Sequence, residues 1–73
     1  MSRRTLDEDL AEVLTEALNA HIAACDAGDP PKPHIPSEAY GANFAISKAE
    51  RVGHVVQITL ETGETFACFI RKL

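Results

Sequence analysis

The fold is decided by residues 55–70, which read VVQITLETGETFACFI. Two stretches rich in β-branched and aromatic residues flank the segment Glu-Thr-Gly at 61–63, a pattern typical of a β-hairpin. A two-residue turn would divide the apolar side chains of the second strand between the two faces of the sheet. A three-residue turn with Gly63 in the left-handed position keeps them together. The predicted pairs are Leu60 with Glu64, Ile58 with Phe66, Val56 with Cys68 and His54 with Ile70.

This register makes one face of the hairpin apolar, and we expect that face to pack on a helix. Its predicted core residues are Val52, Val56, Ile58, Phe66, Cys68 and Ile70. The reverse face would carry Val55, Gln57, Thr59, Thr65, Ala67 and Phe69. Val55 and Phe69 are apolar side chains left exposed on that reverse face, so they are secondary interface candidates.

An amphipathic helix is predicted over residues 6–26. Apolar positions recur there at three- and four-residue spacing. They are Leu6, Leu10, Val13, Leu14, Ala17, Leu18, His21, Ala24 and Cys25. Thr5 followed three residues later by Glu8 is the pattern of a capping box at the start of the helix. Gly28 is placed to end it in the left-handed conformation.

Residues 28–36 contain four prolines and predict a stiff, extended connector. The same segment could serve as a polyproline II ligand, but a spacer that keeps the crossover extended is the favoured interpretation. A further strand is expected at 43–47, and the capping-box pattern at 47–50 suggests a short helical turn after it. Together these elements predict an α+β fold in which the helix packs on a three-stranded antiparallel meander over residues 43–72.

A chain of 73 residues forms a single domain, residues 1–73, whose core supplies only a few kcal/mol of net stability. No stretch approaches the roughly 20 apolar residues of a membrane span, and the acidic residues near the N-terminus do not resemble a secretory signal. We therefore expect a cytoplasmic protein without membrane contact. Its two cysteines are then expected to be reduced core thiols rather than a disulfide.

Charge is strongly segregated along the chain. Residues 5–31 carry seven acids and no lysine or arginine. Clustered basic residues, which direct nucleic-acid binding requires, are limited to short pairs. The binding partner that is electrostatically complementary to this acidic segment is a protein with a basic surface. The residues proposed to bind such a partner are Glu8, Asp9, Glu12, Glu16 and Asp26.

One group of residues has the chemistry of a zinc site. His21 and Cys25 lie one helical turn apart, and His54 and Cys68 are diagonal neighbours on the predicted core face. Ordinary core residues explain the same positions, so no metal and no cofactor is predicted. Catalysis is not expected either, because both thiols lie on predicted core faces and no phosphate-binding glycine loop is present.

In size, acidity and lack of motifs the chain resembles small phage-encoded anti-defence proteins, including anti-CRISPR proteins. The resemblance implies an inhibitor, active in the host cytoplasm, whose carboxylates imitate the phosphates of a nucleic acid on a basic protein surface. It covers no alignable segment, so no family residue is carried over. The alternative is an assembly subunit that associates through a sheet edge or the reverse face. The expected state is a monomer or a weak homodimer, and the acidic helix face could be only a solubilising surface.

Overall fold

The computed structural model describes residues 4–73, so the first three residues of the predicted domain lie outside the described residues. One helix precedes five short strands in that part of the chain. These elements are α1 (Leu6–Asp26), β1 (Ile35–Ser37), β2 (Ala42–Phe44), β3 (Ile46–Val52), β4 (Val55–Leu60) and β5 (Thr65–Phe69). A 3₁₀ turn, Glu38–Tyr40, separates β1 from β2. The predicted α+β class is confirmed.

The start of α1 is the predicted capping box. The Thr5 hydroxyl accepts the backbone N–H of Glu8 at 3.2 Å, and the Glu8 carboxylate accepts the backbone N–H of Thr5 at 3.3 Å. The C-terminal prediction is wrong, because Gly28 is not among the glycines with positive φ. Glycine favours close packing there instead, since a Cβ at Gly28 would lie 3.1 Å from the carbonyl oxygen of Pro30, a tight contact.

The face that α1 presents to the sheet differs from the predicted one. Ala11 and Thr15, which lie outside the predicted stripe, are buried. Of the stripe itself Cys25 is buried as expected, but Leu6, Leu10, Val13 and Leu14 are 43–71% exposed. Polar contacts on the sheet-facing side accompany this orientation. Arg51 of β3 lies 3.8 Å from the Glu8 carboxylate, and the Asn19 amide donates to the carbonyl of Ala49 at 3.4 Å. Hydrophobicity alone therefore predicts the wrong rotation of the helix.

The β4–β5 hairpin has the predicted three-residue turn. Ile58 pairs with Phe66 and Val56 with Cys68 in an antiparallel ladder. Gly63 has a φ of 96°, and its N–H donates to the carbonyl of Leu60 at 3.0 Å. The register and the left-handed glycine are both confirmed.

The strand before this hairpin differs from the prediction. The single strand expected at 43–47 is divided between two strands, because β2 ends at Phe44 and β3 begins at Ile46. The helical turn expected at 47–50 is wrong, because β3 extends through these residues to Val52 and pairs with β4. Gly53, with a φ of 62°, opens a two-residue turn to β4. A Gly-X loop between two strands favours this tight hairpin, and the strand pairing outweighs an isolated capping motif.

The first two strands form a separate ribbon. β1 pairs antiparallel with β2, while the three-stranded sheet has the order β3-β4-β5. The ribbon begins within the predicted proline-rich connector, since Ile35 and Pro36 belong to β1. Pro36 is tolerated because a two-stranded ribbon leaves its strands with free edges.

The core is small and lies between α1 and the first two strands of the sheet. Its buried residues are Ala11, Thr15, Cys25, Ile46, Ala49, Val56 and Leu60. Three predicted core residues are exposed instead, namely Val52, Phe66 and Cys68. Val52 pairs with Val55 and so lies on the reverse face. Phe66 and Cys68 are on the predicted face, but α1 packs on β3 and β4 rather than over β5.

Candidate functional site

β5 is left uncovered on the side of the sheet that carries α1. Cys68 pairs with the buried Val56, and Phe66 pairs with Ile58, so both β5 side chains point to the side of the sheet that carries α1. Helix and strand are nevertheless separated by a cavity of about 160 Å³. Its walls are Leu14, Leu18, Val56, Ile58 and Cys68. The helix thus borders β5 without covering it.

A larger opening lies on the same side, between the β1–β2 ribbon and the β4–β5 hairpin. Its volume is about 690 Å³, and its walls are Ile35, Ser37, Tyr40, Phe44, Ile58, Leu60, Glu64 and Phe66. Ile58 borders both cavities, so they lie next to each other along the hairpin. Predominantly apolar concave walls with few polar groups are typical of binding surfaces.

We define the open apolar face as Leu10, Leu14, Tyr40, Phe66 and Cys68. Leu10 lies one helical turn before Leu14, and the other members line the two cavities or follow one another on β5. Tyr40 is 81% exposed and Phe66 is 53% exposed. Exposed apolar side chains grouped around concave walls are typical of sites of association in proteins.

β5 is also an edge strand with free backbone groups. The N–H of Ile70 donates to the carbonyl of His54 at 3.0 Å, and the carbonyl of Glu64 accepts from Leu60 at 2.8 Å, so even-numbered residues of this strand bond to β4. In an antiparallel ladder the alternate residues direct their N–H and C=O groups outward. Those of Thr65, Ala67 and Phe69 therefore face the open edge.

The two edge strands of the sheet, β3 and β5, differ in how well they are protected against pairing with another strand. The β5 sequence TFACF has no charge and no proline. β3 carries Lys48, Glu50 and Arg51 and has a shift in register between Ile46 and Lys48. Charges and irregularities are the devices by which sheets prevent edge pairing. Of these two strands only β3 has them, so β5 is the edge open to pairing.

The predicted acidic residues are largely engaged within the chain. Arg4 lies 3.2 Å from Asp9 and 3.0 Å from Glu12. The His34 ring lies 2.6 Å from the Asp26 carboxylate. Glu16 is exposed, and no ion pair within residues 4–73 includes it.

Glu8 differs from its acidic neighbours. The backbone hydrogen bond with Thr5, followed by the bond with the Thr5 hydroxyl and the charges of Arg51 and Arg4, lowers the pKa of Glu8. The contacts of this residue are structural, because it caps the helix and reaches toward β3. Glu8 therefore lies on the sheet-facing side of α1 and is engaged within the chain, unlike a residue free to bind a partner.

The histidine and cysteine candidates for zinc binding do not converge. Cys25 Sγ lies 3.6 Å from His21 Nε2, but that nitrogen also contacts the carbonyl of His34 at 2.9 Å. His54 lies in the turn beside Phe69, with ring centroids 6.4 Å apart, and Cys68 is exposed on β5. Among residues 4–73 no three His, Cys, Asp or Glu side chains form a group that could hold a metal ion.

His34 is a structural residue that sequence reasoning missed. Its side chain is 10% exposed, and its Nδ1 accepts the backbone N–H of Ile46 at 2.8 Å. Nε2 then carries the proton that is donated to Asp26 at 2.6 Å. This ring joins the end of α1 to the start of β3. A single histidine between prolines was the only signal in the sequence.

The secondary interface candidates lie together on the reverse face. Val55 pairs with Phe69 on one side and with Val52 on the other, which gives an apolar row across three strands. Phe69 is exposed and Val55 is half-buried. Neither of the two cavities borders this row.

In the described part of the chain, no helix has the length and apolar character needed to cross a membrane. No protein-family model matches the sequence, and comparisons with curated proteins and with solved structures found no significant match. Function must therefore be inferred from the surface geometry.

Proposed function

We propose that this chain is a small, non-enzymatic association module that binds a protein surface through the open apolar face. The observation that carries this proposal is that α1 packs on β3 and β4 and leaves the same side of β5 bare. Phe66 and Leu14 are consequently exposed where a third layer of packing would bury them. Binding supplies that layer.

The exposed area supports association. The chain exposes 5637 Å², whereas a compact monomer of 7.9 kDa exposes about 4,400 Å². The excess of about 1,200 Å² is larger than the roughly 800 Å² that each partner buries in an interface of standard size. Exposed chain ends such as Leu73 account for part of it.

The size of the core points the same way. Val56 is the large side chain that is buried almost completely, at 1% exposure. A single core below about 70 to 80 residues seldom supplies more than a few kcal/mol, and oligomerisation is one way in which such small domains gain stability. Both cysteines are free thiols, which supports the cytoplasmic setting proposed with this function.

Capture experiments with matched variants test the proposal. A tagged wild-type chain is expected to retain a second polypeptide, either another protein or an untagged copy of itself. Phe66→Glu should abolish retention, because it places a charge in the apolar contact. Glu16→Lys, an equally drastic change on the exposed helix surface, should retain the partner. Retention by the folded Phe66→Glu variant at the wild-type level would contradict the proposal.

A second candidate function is supported by the charge of α1. Within residues 4–73, Arg4 pairs with both Asp9 and Glu12, and Glu16 has no ion pair, so the helix keeps a net negative charge after these pairs are counted. We propose as this alternative an acidic inhibitor that docks on a basic protein surface, such as one that holds nucleic acid, and imitates phosphate charge in the manner of phage anti-CRISPR proteins. In that case Glu16→Lys would lose the partner, Phe66→Glu would keep it, and wild-type binding would weaken as salt rises.

A further inference from the structure

We propose that the partner of the open apolar face is a second copy of this chain, joined by antiparallel pairing of β5 with the β5 of the partner around a two-fold axis at Cys68. This inference rests on the proposed function and specifies its occupant. Three features of β5 carry it: the free edge, the order of its side chains and the unburied area on its helix-facing side.

The edge provides the backbone bonds. The outward N–H and C=O groups of Thr65, Ala67 and Phe69 form a ladder without a partner in the described chain. When two copies of this edge pair antiparallel, the outward N–H and C=O groups of one copy can all bond to those of the other, provided that odd-numbered residues lie opposite odd-numbered residues. An axis at Ala67 or at Cys68 meets that condition, and the side chains decide between them.

With the axis at Cys68, the helix-facing side chains are complementary. Glu64 then lies opposite the partner's Lys72, Phe66 lies opposite the partner's Ile70, and Cys68 lies opposite the partner's Cys68. Each apolar residue meets an apolar residue, and each carboxylate meets an ammonium group. Because the axis repeats every contact, two Glu64–Lys72 pairs flank an apolar centre.

With the axis at Ala67, the same strand is poorly matched to itself. Glu64 would then lie opposite the partner's Ile70, which places a carboxylate against an apolar side chain. Lys72 would extend past the paired segment without an acidic residue opposite it. The sequence of β5 and its flanks is therefore self-complementary in the Cys68 register and not in the Ala67 register.

The resulting dimer would cover both the free edge of β5 and the open apolar face. A continuous six-stranded sheet would form, with β3 and its charged residues at each outer edge. The two α1 helices would lie on the same side of that sheet, so the open apolar faces would adjoin across the axis. The whole-chain excess of about 1,200 Å², part of which lies at the chain ends, is larger than the roughly 800 Å² that each partner buries in an interface of standard size.

Charge reversal with rescue tests the register. Sedimentation equilibrium should give twice the chain mass of 7.9 kDa for the wild type. Glu64→Lys and Lys72→Glu should each raise the dimer dissociation constant about fivefold or more, because each places like charges opposite each other twice. The double variant Glu64→Lys/Lys72→Glu should return it to near the wild-type value. Failure of the double variant to recover would overturn the Cys68 register.

Thiol cross-linking tests the position of the axis. Directly opposed residues of a non-hydrogen-bonded antiparallel pair have Cα atoms about 4.5 Å apart, within the range that a disulfide spans. Copper phenanthroline, as oxidant, should remove two electrons and two protons from the paired Cys68 thiols and give a covalent dimer. Cys25→Ser should still cross-link, because Cys25 is buried, and Cys68→Ser should not. Equal cross-linking of both variants would contradict the axis.

The outcomes separate this inference from the proposed function. If the wild-type chain stays monomeric at high concentration but captures another protein in a Phe66-dependent manner, the homodimer proposal is wrong. The proposed function as an association module is then still supported. A dimer that is insensitive to Phe66→Glu and to the charge reversals would overturn both. A dimer that depends on Phe66, cross-links at Cys68 and recovers in the double variant supports both.

Discussion

Phe66 pairs directly with Ile58 across the β4–β5 hairpin, yet Ile58 is half-buried and Phe66 is 53% exposed. The two side chains occupy the same face of the sheet, so the difference arises from where the helix lies. α1 packs mainly on β3 and β4. A large aromatic side chain on the uncovered strand is the feature from which the proposed function follows.

This relationship predicts a difference in stability between two truncations. Ile46→Ala should lower the free energy of unfolding by about 2 to 5 kcal/mol, because Ile46 is buried. Phe66→Ala should cost less than about 1.5 kcal/mol when measured at a concentration low enough to keep the chain monomeric. Urea unfolding of both variants checks this. Equal losses at low concentration would mean that Phe66 belongs to the core of the monomer.

The turn of the hairpin predicts a second pair of outcomes. Gly63→Val should destabilise the domain by about 1 to 3 kcal/mol, because a β-branched residue is strained at a φ of 96°. Thr62→Val should have a much smaller effect, since Thr62 has no positive φ to maintain. Thermal melts of the two variants make the comparison. Similar melting temperatures would exclude this turn geometry.

Removal of the His34 ring should also be costly. His34→Ala leaves the buried N–H of Ile46 without its acceptor and the Asp26 carboxylate without its donor. We expect a loss of about 1 to 3 kcal/mol, the usual cost of an unsatisfied buried group. Chemical denaturation of the variant measures it. A control, Lys32→Ala, changes an exposed side chain in the same connector and should be nearly neutral.

The capping box predicts a dependence of stability on pH. The pKa of Glu8 is lowered, chiefly by the backbone hydrogen bond from Thr5, so its contribution is present at pH values above the pKa of the unfolded chain. It is lost as the pH falls through the lower pKa of the folded chain. Glu8→Gln should therefore reduce the melting temperature near neutral pH and differ less from the wild type in acid.

Thr5→Ala provides the matched control for that experiment. It removes the hydroxyl that bonds Glu8, so the Glu8→Gln substitution should have a smaller effect in the Thr5→Ala background than in the wild type. Melting curves recorded from neutral to acidic pH would show this. A Glu8→Gln effect that is constant over the whole range would argue against a carboxylate-specific cap.

The hairpin and the start of the helix could be predicted because local rules determine them. Gly63 supplies the positive φ that a three-residue turn needs, and Thr5 and Glu8 satisfy each other within one turn of helix. The tight turn at Gly53 has a comparable signal in its Gly-X pattern between Val52 and Val55. The capping motif at 47–50 competes with that signal, because it suggests a break in the strand.

The orientation of α1 could not be predicted from periodicity. Leu10 and Leu14 define the most apolar stripe, but the sheet-facing side is formed by smaller residues such as Ala11 and Thr15. Periodicity identifies an apolar face without indicating whether it packs within the monomer or against a partner. The same limit applies to β5, whose apolar side chains are predicted core residues. The long-range contact between the His34 ring and the third strand leaves no local pattern at all.

Amide hydrogen exchange at the edge of β5 tests the central claim most directly, because the N–H groups of Thr65, Ala67 and Phe69 point away from β4. Exchange should be measured by NMR from dilute to concentrated protein, with the outer-edge amides of β3 as an internal reference. We expect these three amides to become strongly protected as association proceeds, while the reference amides change little. Continued fast exchange at β5 in a sample shown by light scattering to be associated would contradict the assignment of this strand as the interface.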